Sequence, residues 1–255
     1  MTKEERQSLI LDILKQQSSV YVTDLSEQLN VSSVTIRKDL TELEKAKKLY
    51  RNHGRAIMVD PYIENRYVNV KEKLNVEEKH QIGLFAASLI KPKDSILIAS
   101  GTTLHALARC INPTDSLVVV TASTQVSSIL SQNNNISIIQ LGGMLRNSSL
   151  SVVGKYAEQA LANFSCSKLF LGVDGIDLEF GITTTDMNEA SLNQVMMNSA
   201  QQTIVLADSS KFDKRGLSKI SDMEGVDYII TDSRINPVIA KKIEDMGIKL
   251  TIVEV

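Results

Sequence analysis

Several features are scarce or missing in this 255-residue chain, and each absence narrows the class of protein. No apolar run approaches the ~18–20 residues that a membrane span needs, and the opening stretch MTKEERQSLI has no secretory hydrophobic region. Cys110 and Cys166 form no CxxC pair and have no histidine near them, so core thiols are favoured over a disulfide or a zinc site. We expect a cytoplasmic protein that has no membrane partner, no metal and no cofactor.

The composition is that of an ordinary globular protein, with 43% hydrophobic residues, 23% charged residues and a formal net charge of −2. The length accommodates one large domain, or a small domain and a medium-sized one. The three histidines are too scattered for a metal cluster, and the chain has no internal repeat and no low-complexity segment.

The stretch 20–43 predicts two short helices joined by a tight turn. In the first helix two leucines stand four residues apart behind Thr23, which we predict as the N-cap. Residues 30–32 break the pattern, and Ser33 is predicted to cap the second helix. In that helix apolar residues recur at i, i+4 and i+7 and form one face: Ile36, Leu40 and Leu43.

Polar and basic side chains remain on the outer face of the second helix, which is the layout of a helix-turn-helix DNA reader. Arginine pairs bidentately with guanine, hydroxyls reach phosphates or base edges, and lysine meets phosphate as a point charge. An amphipathic hairpin with a solvated charged face explains the periodicity equally well. The predicted DNA-contacting residues of this region are Ser32, Ser33, Thr35, Arg37, Lys38 and Thr41.

The flanking segments favour the DNA reader. A helix over 4–16 supplies the third helix of a small core, and 49–57 is predicted to be a β-hairpin, or wing, with its turn at 52–54. From Ser33 to Met58 there are seven Lys and Arg residues but only three acidic ones, and such local positive charge suits a phosphate-binding face. The wing adds three predicted DNA contacts: Arg51, His53 and Arg55.

Residues 59–74 are polar, contain Pro61 and lack a sustained period, so we predict a linker between a domain at 1–58 and a larger one at 75–255. At the start of the larger domain, Asn75 and Glu78 are predicted to form a capping box. Short apolar runs then alternate with helical stretches, which predicts a mostly parallel sheet with helices on both faces. The predicted strands are 95–99, 117–120, 136–141, 168–173, 203–207, 226–230 and 248–253.

Ligands of such sheets bind beyond the carboxyl ends of the strands, where this chain places glycines, hydroxyls, carboxylates and cations. The turn at 100–103 opens a helix whose free N–H groups can face an anion, and carboxylates can accept hydrogen bonds from a sugar. Each motif alone fits a simple cap or turn, but their shared position favours a phosphorylated polyol. The predicted effector-binding residues are Ser100, Gly101, Thr102, Thr103, Thr121, Ser123, Gly142, Gly143, Arg146, Asp174, Gly175 and Lys211.

The run SSVTIRKDL at 32–40 resembles the helix-turn-helix signature of DeoR-type bacterial transcriptional regulators, and the resemblance extends over essentially the whole chain. It implies a winged helix-turn-helix followed by a Rossmann-like, mostly parallel α/β domain that senses a sugar phosphate. That domain is itself similar to ribose-5-phosphate isomerases and glucosamine-phosphate deaminases. The matching pieces of the larger domain are SGTT at 100–103, TAS at 121–123, LGG at 141–143, VVG at 152–154, GVDGID at 172–177, GITTT at 181–185 and ADSSK at 207–211.

The resemblance also implies function. The expected function is that of a repressor of a carbohydrate-catabolism operon, whose repression a phosphorylated sugar relieves. Residues 100–103 would bind the phosphate, and Asp174 and Lys211 would lie near the sugar. Many relatives carry an acid where this chain has Ala99, and asparagine is usual in place of Ala122, so the effector can differ. The expected partners are double-stranded operator DNA, the sugar phosphate and further copies of the chain in a dimer or tetramer.

Two other classes of function compete with the regulator. An aldose–ketose isomerase or a deaminase needs a positioned base, for which Asp174, Glu189 and Lys211 are candidates, but no histidine follows a predicted strand. A purely protein-binding module would show no protection by small molecules against thermal unfolding. Because the chain joins this domain to a DNA reader, we favour a sensor that is not an enzyme.

Overall fold

The computed structural model describes residues 1–17, 19–46, 48–52, 54–58, 68–113 and 115–255. These residues form an N-terminal winged helix-turn-helix and a larger α/β domain, which confirms the predicted fold class. Among the helices that the structure describes, none has the length and apolarity that a membrane crossing requires. The described residues also contain no group of three or more His, Cys, Asp or Glu side chains placed to hold a metal ion.

The N-terminal domain packs three helices against a three-stranded antiparallel sheet of order β1-β3-β2. The second and third helices are the predicted pair, and β2 and β3 form the predicted wing with Gly54 in the left-handed region at its turn. The elements are α1 (Lys3–Gln17), β1 (Ser19–Tyr21), α2 (Val22–Gln28), α3 (Ser33–Lys45), β2 (Leu49–Asn52) and β3 (Arg55–Met58).

A separate apolar cluster forms the core of this domain, and Ile10, Leu14, Leu25, Ile36 and Leu40 are fully buried in it. The predicted periodicity therefore points the correct side of α3 inward. Two predicted caps were wrong, the first by two positions and the second by one, because Tyr21 and not Thr23 is the N-cap residue of α2. The helix α2 begins at Val22 rather than after Thr23, and Ser32, not Ser33, caps α3 by accepting a hydrogen bond from the Thr35 N–H.

The larger domain alternates strands and helices as predicted. Its first elements are α4 (Val68–Lys71), α5 (Val76–Ser88), β4 (Ser95–Ile98), α6 (Thr102–Cys110), β5 (Leu117–Thr121), α7 (Thr124–Leu130), β6 (Ile136–Gln140), β7 (Met144–Arg146), β8 (Ser151–Val153) and α8 (Lys155–Leu161). There follow β9 (Lys168–Gly172), β10 (Gly175–Asp177), β11 (Gly181–Thr184), α9 (Met187–Asn198), β12 (Thr203–Leu206), β13 (Ser218–Ser221), β14 (Tyr228–Asp232), α10 (Pro237–Asp245) and β15 (Lys249–Val253).

The seven predicted strands form one sheet of order β15-β14-β12-β9-β4-β5-β6, and every pairing in it is parallel. From β4 the chain proceeds outward through β5 and β6, and from β9 it proceeds the other way through β12, β14 and β15. The order reverses between β4 and β9, which creates the crevice where open α/β sheets bind ligands. Five short strands in two small antiparallel groups, β7–β8 and β10–β11–β13, were not predicted.

The start of the larger domain differs from the prediction. Residues 68–74 were predicted to be part of the linker, but they contain α4. This helix packs on the larger domain: Val68 is buried, and its N–H donates a hydrogen bond to the Ser148 carbonyl. The predicted capping box at Asn75 is wrong: this residue adopts a left-handed conformation, and its amide donates to Asp208 instead. The rest of the predicted linker, 59–67, lies outside the described residues.

Candidate functional site

The recognition face is the outer side of α3. The opposite, inner side of α3 is held against α1 by Asp39, whose buried carboxylate accepts two hydrogen bonds from Arg6. The Nε–Oδ2 distance is 2.5 Å and the Nη2–Oδ1 distance is 3.1 Å. Arg37 and Lys38 point outward, are exposed, and make no side-chain hydrogen bond or ion pair within the described residues. These two cationic side chains, one turn from the capped start of α3, are therefore free to contact DNA.

The predicted hydroxyls already have partners inside the domain. Ser32 Oγ lies 3.0 Å from Thr35 Oγ1 at the start of α3. Thr41 Oγ1 donates to the Arg37 carbonyl over 2.7 Å and accepts from Arg51 Nη1 over 2.5 Å. Arg51 therefore ties the wing to the recognition helix while it stays exposed. Among the predicted hydroxyl contacts, Ser33 is the one that makes no side-chain hydrogen bond within the described part of the chain.

The other two wing residues predicted to contact DNA are His53 and Arg55. His53 lies outside the described residues. Arg55, predicted to contact DNA, instead turns toward the larger domain, where its Nη2 lies 2.7 Å from Asp213 Oδ2. The two side chains are only 11% and 15% exposed, so in this arrangement the guanidinium is not presented to DNA.

The second site is a pocket at the crevice between β4 and β9. The loop after β4 opens α6 and contains Gly101, whose φ of +132° is a conformation that residues with a Cβ rarely adopt. The first N–H groups of α6 have no intrahelical acceptor, so the buried Thr102 and Thr103 offer backbone and hydroxyl donors to an anion. Residues 100–103 all line the pocket, and their role in binding an anion stays a prediction.

Asp174 follows β9 and lines the pocket. Lys71 Nζ of α4 donates to it over 2.8 Å, and Thr184 Oγ1 and the Thr185 N–H donate over 3.1 and 3.2 Å. Burial alone would raise the pKa of Asp174, but the positive charges of Lys71 and Lys211 outweigh it and lower the pKa to about 2. Asp174 is thus a permanent acceptor for ligand hydroxyl groups.

A second carboxylate, Glu189 of α9, lies beside the first. Thr184 Oγ1 is 3.1 Å from Asp174 and 3.3 Å from Glu189, so its single proton can be donated to either of the two acids. Arg146 Nη1 lies 2.6 Å from Glu189 Oε1 behind the pocket. The predicted effector contact Arg146 therefore positions a carboxylate and does not line the pocket.

A third lysine supports the helix that carries Lys71. Lys79 of α5 is buried and donates to the carbonyls of Lys71 and Leu74 over 2.6 Å each, which fixes the end of α4. Burial lowers the pKa of Lys79 to about 8, against the pull of the nearby Asp208 carboxylate. Lys211 follows Asp208 in a short 3₁₀ turn that the Asp208 carboxylate caps.

Half of the predicted effector residues line the pocket: Ser100, Gly101, Thr102, Thr103, Asp174 and Lys211. The other six do not. Thr121 Oγ1 donates to the Ile98 carbonyl, and Ser123 caps α7. Of the remaining residues, Gly143 and Gly175 lie where neighbouring backbone leaves no room for a Cβ, Gly142 lies between β6 and β7, and Arg146 contacts Glu189. Ala99 and Ala122 are buried and also do not line the pocket.

Ten lining residues escaped the predicted set, most of them for two reasons. Lys71 lay in a segment taken as linker, and α4 brings it in only by docking. The polar residues in and after β11 were missed because this strand has no long apolar run and was not predicted. The stretch 181–185 nevertheless matched the family signature. The missed residues are Val68, Lys71, Ser148, Ser149, Gly172, Val173, Thr184, Thr185, Glu189 and Asn193.

A winged helix-turn-helix with an exposed basic helix, joined to a parallel sheet with a pocket at its crevice, defines a DNA-binding regulator with a ligand-sensing domain. Residues 6–62 match the DeoR-like helix-turn-helix domain, and residues 74–233 match the DeoR C terminal sensor domain. The chain belongs to the DeoR family of transcriptional regulators.

Relatives support that assignment over the full length. The chain is 37% identical to the HTH-type transcriptional regulator YulB of Bacillus subtilis, with 99% of this chain and 98% of YulB covered. It is 32% identical to the HTH-type transcriptional repressor GlcR of the same organism, covering 100% and 98%. It is also 32% identical to the lactose phosphotransferase system repressor of Lactococcus lactis, covering 93% and 94%.

These relatives are named as regulators or repressors, which agrees with the interpretation that the chain is not an enzyme. Among solved structures, the sorbitol operon regulator SorC of Klebsiella pneumoniae is 12% identical, with a TM-score of 0.40 over 80% of this chain and 88% of SorC. The ribose 5-phosphate isomerase A of Neisseria gonorrhoeae is 12% identical, with a TM-score of 0.39 over 52% of each chain.

Proposed function

We propose that this regulator represses a carbohydrate-catabolism operon and that a phosphorylated sugar bound in the sensor pocket relieves the repression. The observation that carries the proposal is that donors at the start of α6 and two carboxylates line the same pocket, and we call these the anion-binding half and the acceptor half. The lactose phosphotransferase system repressor of Lactococcus lactis, with 32% identity over nearly the whole chain, supports the same class of regulated gene.

The two halves suit the two ends of a sugar phosphate. The start of α6, with Ser100, Thr102 and Thr103, offers donors for phosphate oxygens, and Lys211 adds a positive charge at the rim. Asp174 and Glu189 offer carboxylate oxygens that accept hydrogen bonds from sugar hydroxyls. An unphosphorylated sugar would leave the anion half empty, so we expect it to bind much more weakly.

The helix α4 is the proposed route from the pocket to DNA. The Lys71 ammonium donates a hydrogen bond to the Asp174 carboxylate. The next residue, Glu72, contacts α6: it accepts a hydrogen bond from Arg109 and lies 3.0 Å from His105 Nδ1. A ligand hydroxyl on Asp174 must share or displace the Lys71 ammonium. That change shifts α4, which the segment 59–67 joins to the wing, and so biases the DNA-binding domain.

We further propose that the chain acts as a homo-oligomer in the cytoplasm. Paired recognition helices would then meet operator half-sites one helical turn, ~10 bp, or a multiple apart in the major groove. Base contacts are assigned to Ser33 and Arg37, phosphate contacts to Lys38 and Arg51, and a supporting role to the hydroxyls of Ser32, Thr35 and Thr41.

The test is a thermal-shift screen of phosphorylated sugars and their unphosphorylated counterparts, followed by operator affinity with each compound that protects. We expect protection by a phosphorylated sugar, a matching loss of operator affinity, and loss of both effects in Thr103→Val and Asp174→Asn. Asp245→Asn, which removes an exposed carboxylate outside the pocket, serves as the matched control. Unchanged operator affinity with a protecting ligand would end the coupling claim, and turnover of the ligand at ordinary enzyme rates would end the sensor claim.

A further inference from the structure

Arg55 of the wing lies in a closed contact with the sensor domain. Its Nη2 is 2.7 Å from Asp213 Oδ2 and 3.0 Å from Ser19 Oγ, and Ser19 Oγ in turn donates to Asp213 over 3.0 Å. The guanidinium carbon lies 4.6 Å from the centre of the Tyr21 ring. Asp213 of the sensor domain thus contacts Arg55 and Ser19 of the DNA-binding domain, and Tyr21 packs on the same arginine.

The contact leaves the arginine incompletely satisfied. Arg55 Nε is buried and has no hydrogen-bond acceptor within the part of the chain that the structure describes. A buried donor without a partner costs free energy, because it has lost its water and gained nothing in return. A phosphodiester offers two charged oxygens to the fork of an arginine and can occupy more of its donors. Asp213 is therefore a partner that DNA can replace.

Asp213 also belongs to the loop that enters the effector pocket. Lys211, which lines the pocket, precedes it by two residues, and the buried Phe212 between them bridges to Ile176. Asp213 itself has a φ of +53°, a left-handed conformation that is uncommon for a residue other than glycine. A change of backbone at Lys211 therefore has a short path to the carboxylate that holds Arg55.

We propose that Arg55 has two alternative anionic partners: Asp213 when the wing is docked on the sensor domain, and a DNA phosphate when the wing is free. Asp213 is then an autoinhibitory residue that withholds one phosphate contact from the wing, and the loop 208–213 links that restraint to the pocket. The proposal rests on the regulator binding DNA through its wing. It does not depend on the identity of the effector.

A double-mutant cycle on operator affinity tests the proposal without any effector. The operator is selected from random duplexes by the full-length protein, and its dissociation constant is measured for the parent, Asp213→Ala, Arg55→Ala and the double variant at several salt concentrations. Removal of Asp213 should tighten binding about 5-fold or more, because the arginine is released. Removal of Arg55 should weaken binding and lower the salt slope by about one. In the double variant, removal of Asp213 should have no further effect.

Two controls separate this mechanism from simpler ones. Asp245→Ala removes an exposed carboxylate that lines the same cleft and makes no hydrogen bond or ion pair among the described residues, so it measures the gain from lost negative charge alone. Asp213→Asn keeps the size of the side chain if the alanine variant melts early, and it should also tighten binding. A gain no larger than that of Asp245→Ala, a loss of affinity on removing Asp213, a gain that persists without Arg55, or an Arg55→Ala variant that binds as tightly as the parent would each overturn the proposal.

Discussion

Replacing Asp174 with asparagine should destabilise the sensor domain, because the folded protein holds this carboxylate in a charged state beside two lysines. The folded-state pKa of about 2 lies below the ordinary value of 3.8. That difference corresponds to about 2–3 kcal/mol of free energy of unfolding at neutral pH. In a chain of this size, a loss of that magnitude lowers Tm by roughly 5–10 °C.

The destabilisation caused by Asp174→Asn should depend on pH. Because folding lowers the pKa of Asp174, its contribution is fully present above about pH 4 and disappears as the pH falls through the folded value of about 2. The difference in stability between the parent and Asp174→Asn should therefore be constant from pH 7 to pH 5 and shrink to roughly half near pH 3.

Urea unfolding at a series of pH values measures this difference directly. Asp245→Asn is the matched control, because that carboxylate is exposed and should leave the stability within about 0.5 kcal/mol at every pH. If Asp174→Asn is as stable as the parent at pH 7, the lysines do not stabilise the charged carboxylate. If the difference keeps its full size at pH 3, it arises from packing and not from the ionisation of Asp174.

Three further predictions concern the recognition helix, the buried lysine and the contact between two helices. Arg37→Ala should weaken operator binding about 5- to 150-fold and relax base preference at one position, whereas Lys48→Ala should weaken all sequences alike and flatten the salt dependence in a binding titration. Because burial lowers the pKa of Lys79 to about 8, the folded chain binds fewer protons than the unfolded chain between pH 8 and 10.5. Stability measured by denaturant should rise across that window by at most about 3 kcal/mol relative to Lys79→Met, and an equal slope in both proteins would contradict the assignment. Gly83→Ala should cost about 1–3 kcal/mol in thermal or urea unfolding, since its Cβ would lie 2.7 Å from the backbone nitrogen of Leu107, and an unchanged Tm would show that α6 yields without cost.

Local sequence patterns were sufficient for most of the fold. The apolar runs predicted all seven strands of the parallel sheet, and the spacing of Ile36, Leu40 and Leu43 predicted the buried side of α3. These successes share a cause, since the period of a helix or strand depends on neighbours within a few residues. The caps were less predictable, because Ser32 and Ser33 are both good N-cap residues and the choice depends on the path of the turn.

The site was predicted only in part, because the sequence does not state the order of strands. All strand ends were expected to contribute, but β5 lies on the side of β4 away from β9 and β6 lies at the edge of the sheet, so the ends of these two strands do not border the crevice between β4 and β9. Only the loops after β4, β9 and β12 bring their predicted residues to the pocket. Strand order results from pairings between residues that are distant in the chain, to which a local pattern gives no access.

By itself the sequence determined the class of this protein: a basic recognition helix, a wing, and a parallel α/β domain with an anion-binding turn. The tertiary structure alone decided that Lys71 enters the pocket, that Arg146 stands behind Glu189, and that Arg55 faces Asp213 instead of solvent. The physical reason is that charge and periodicity are properties of a segment, whereas the partner of a charged side chain depends on how separate segments pack against each other.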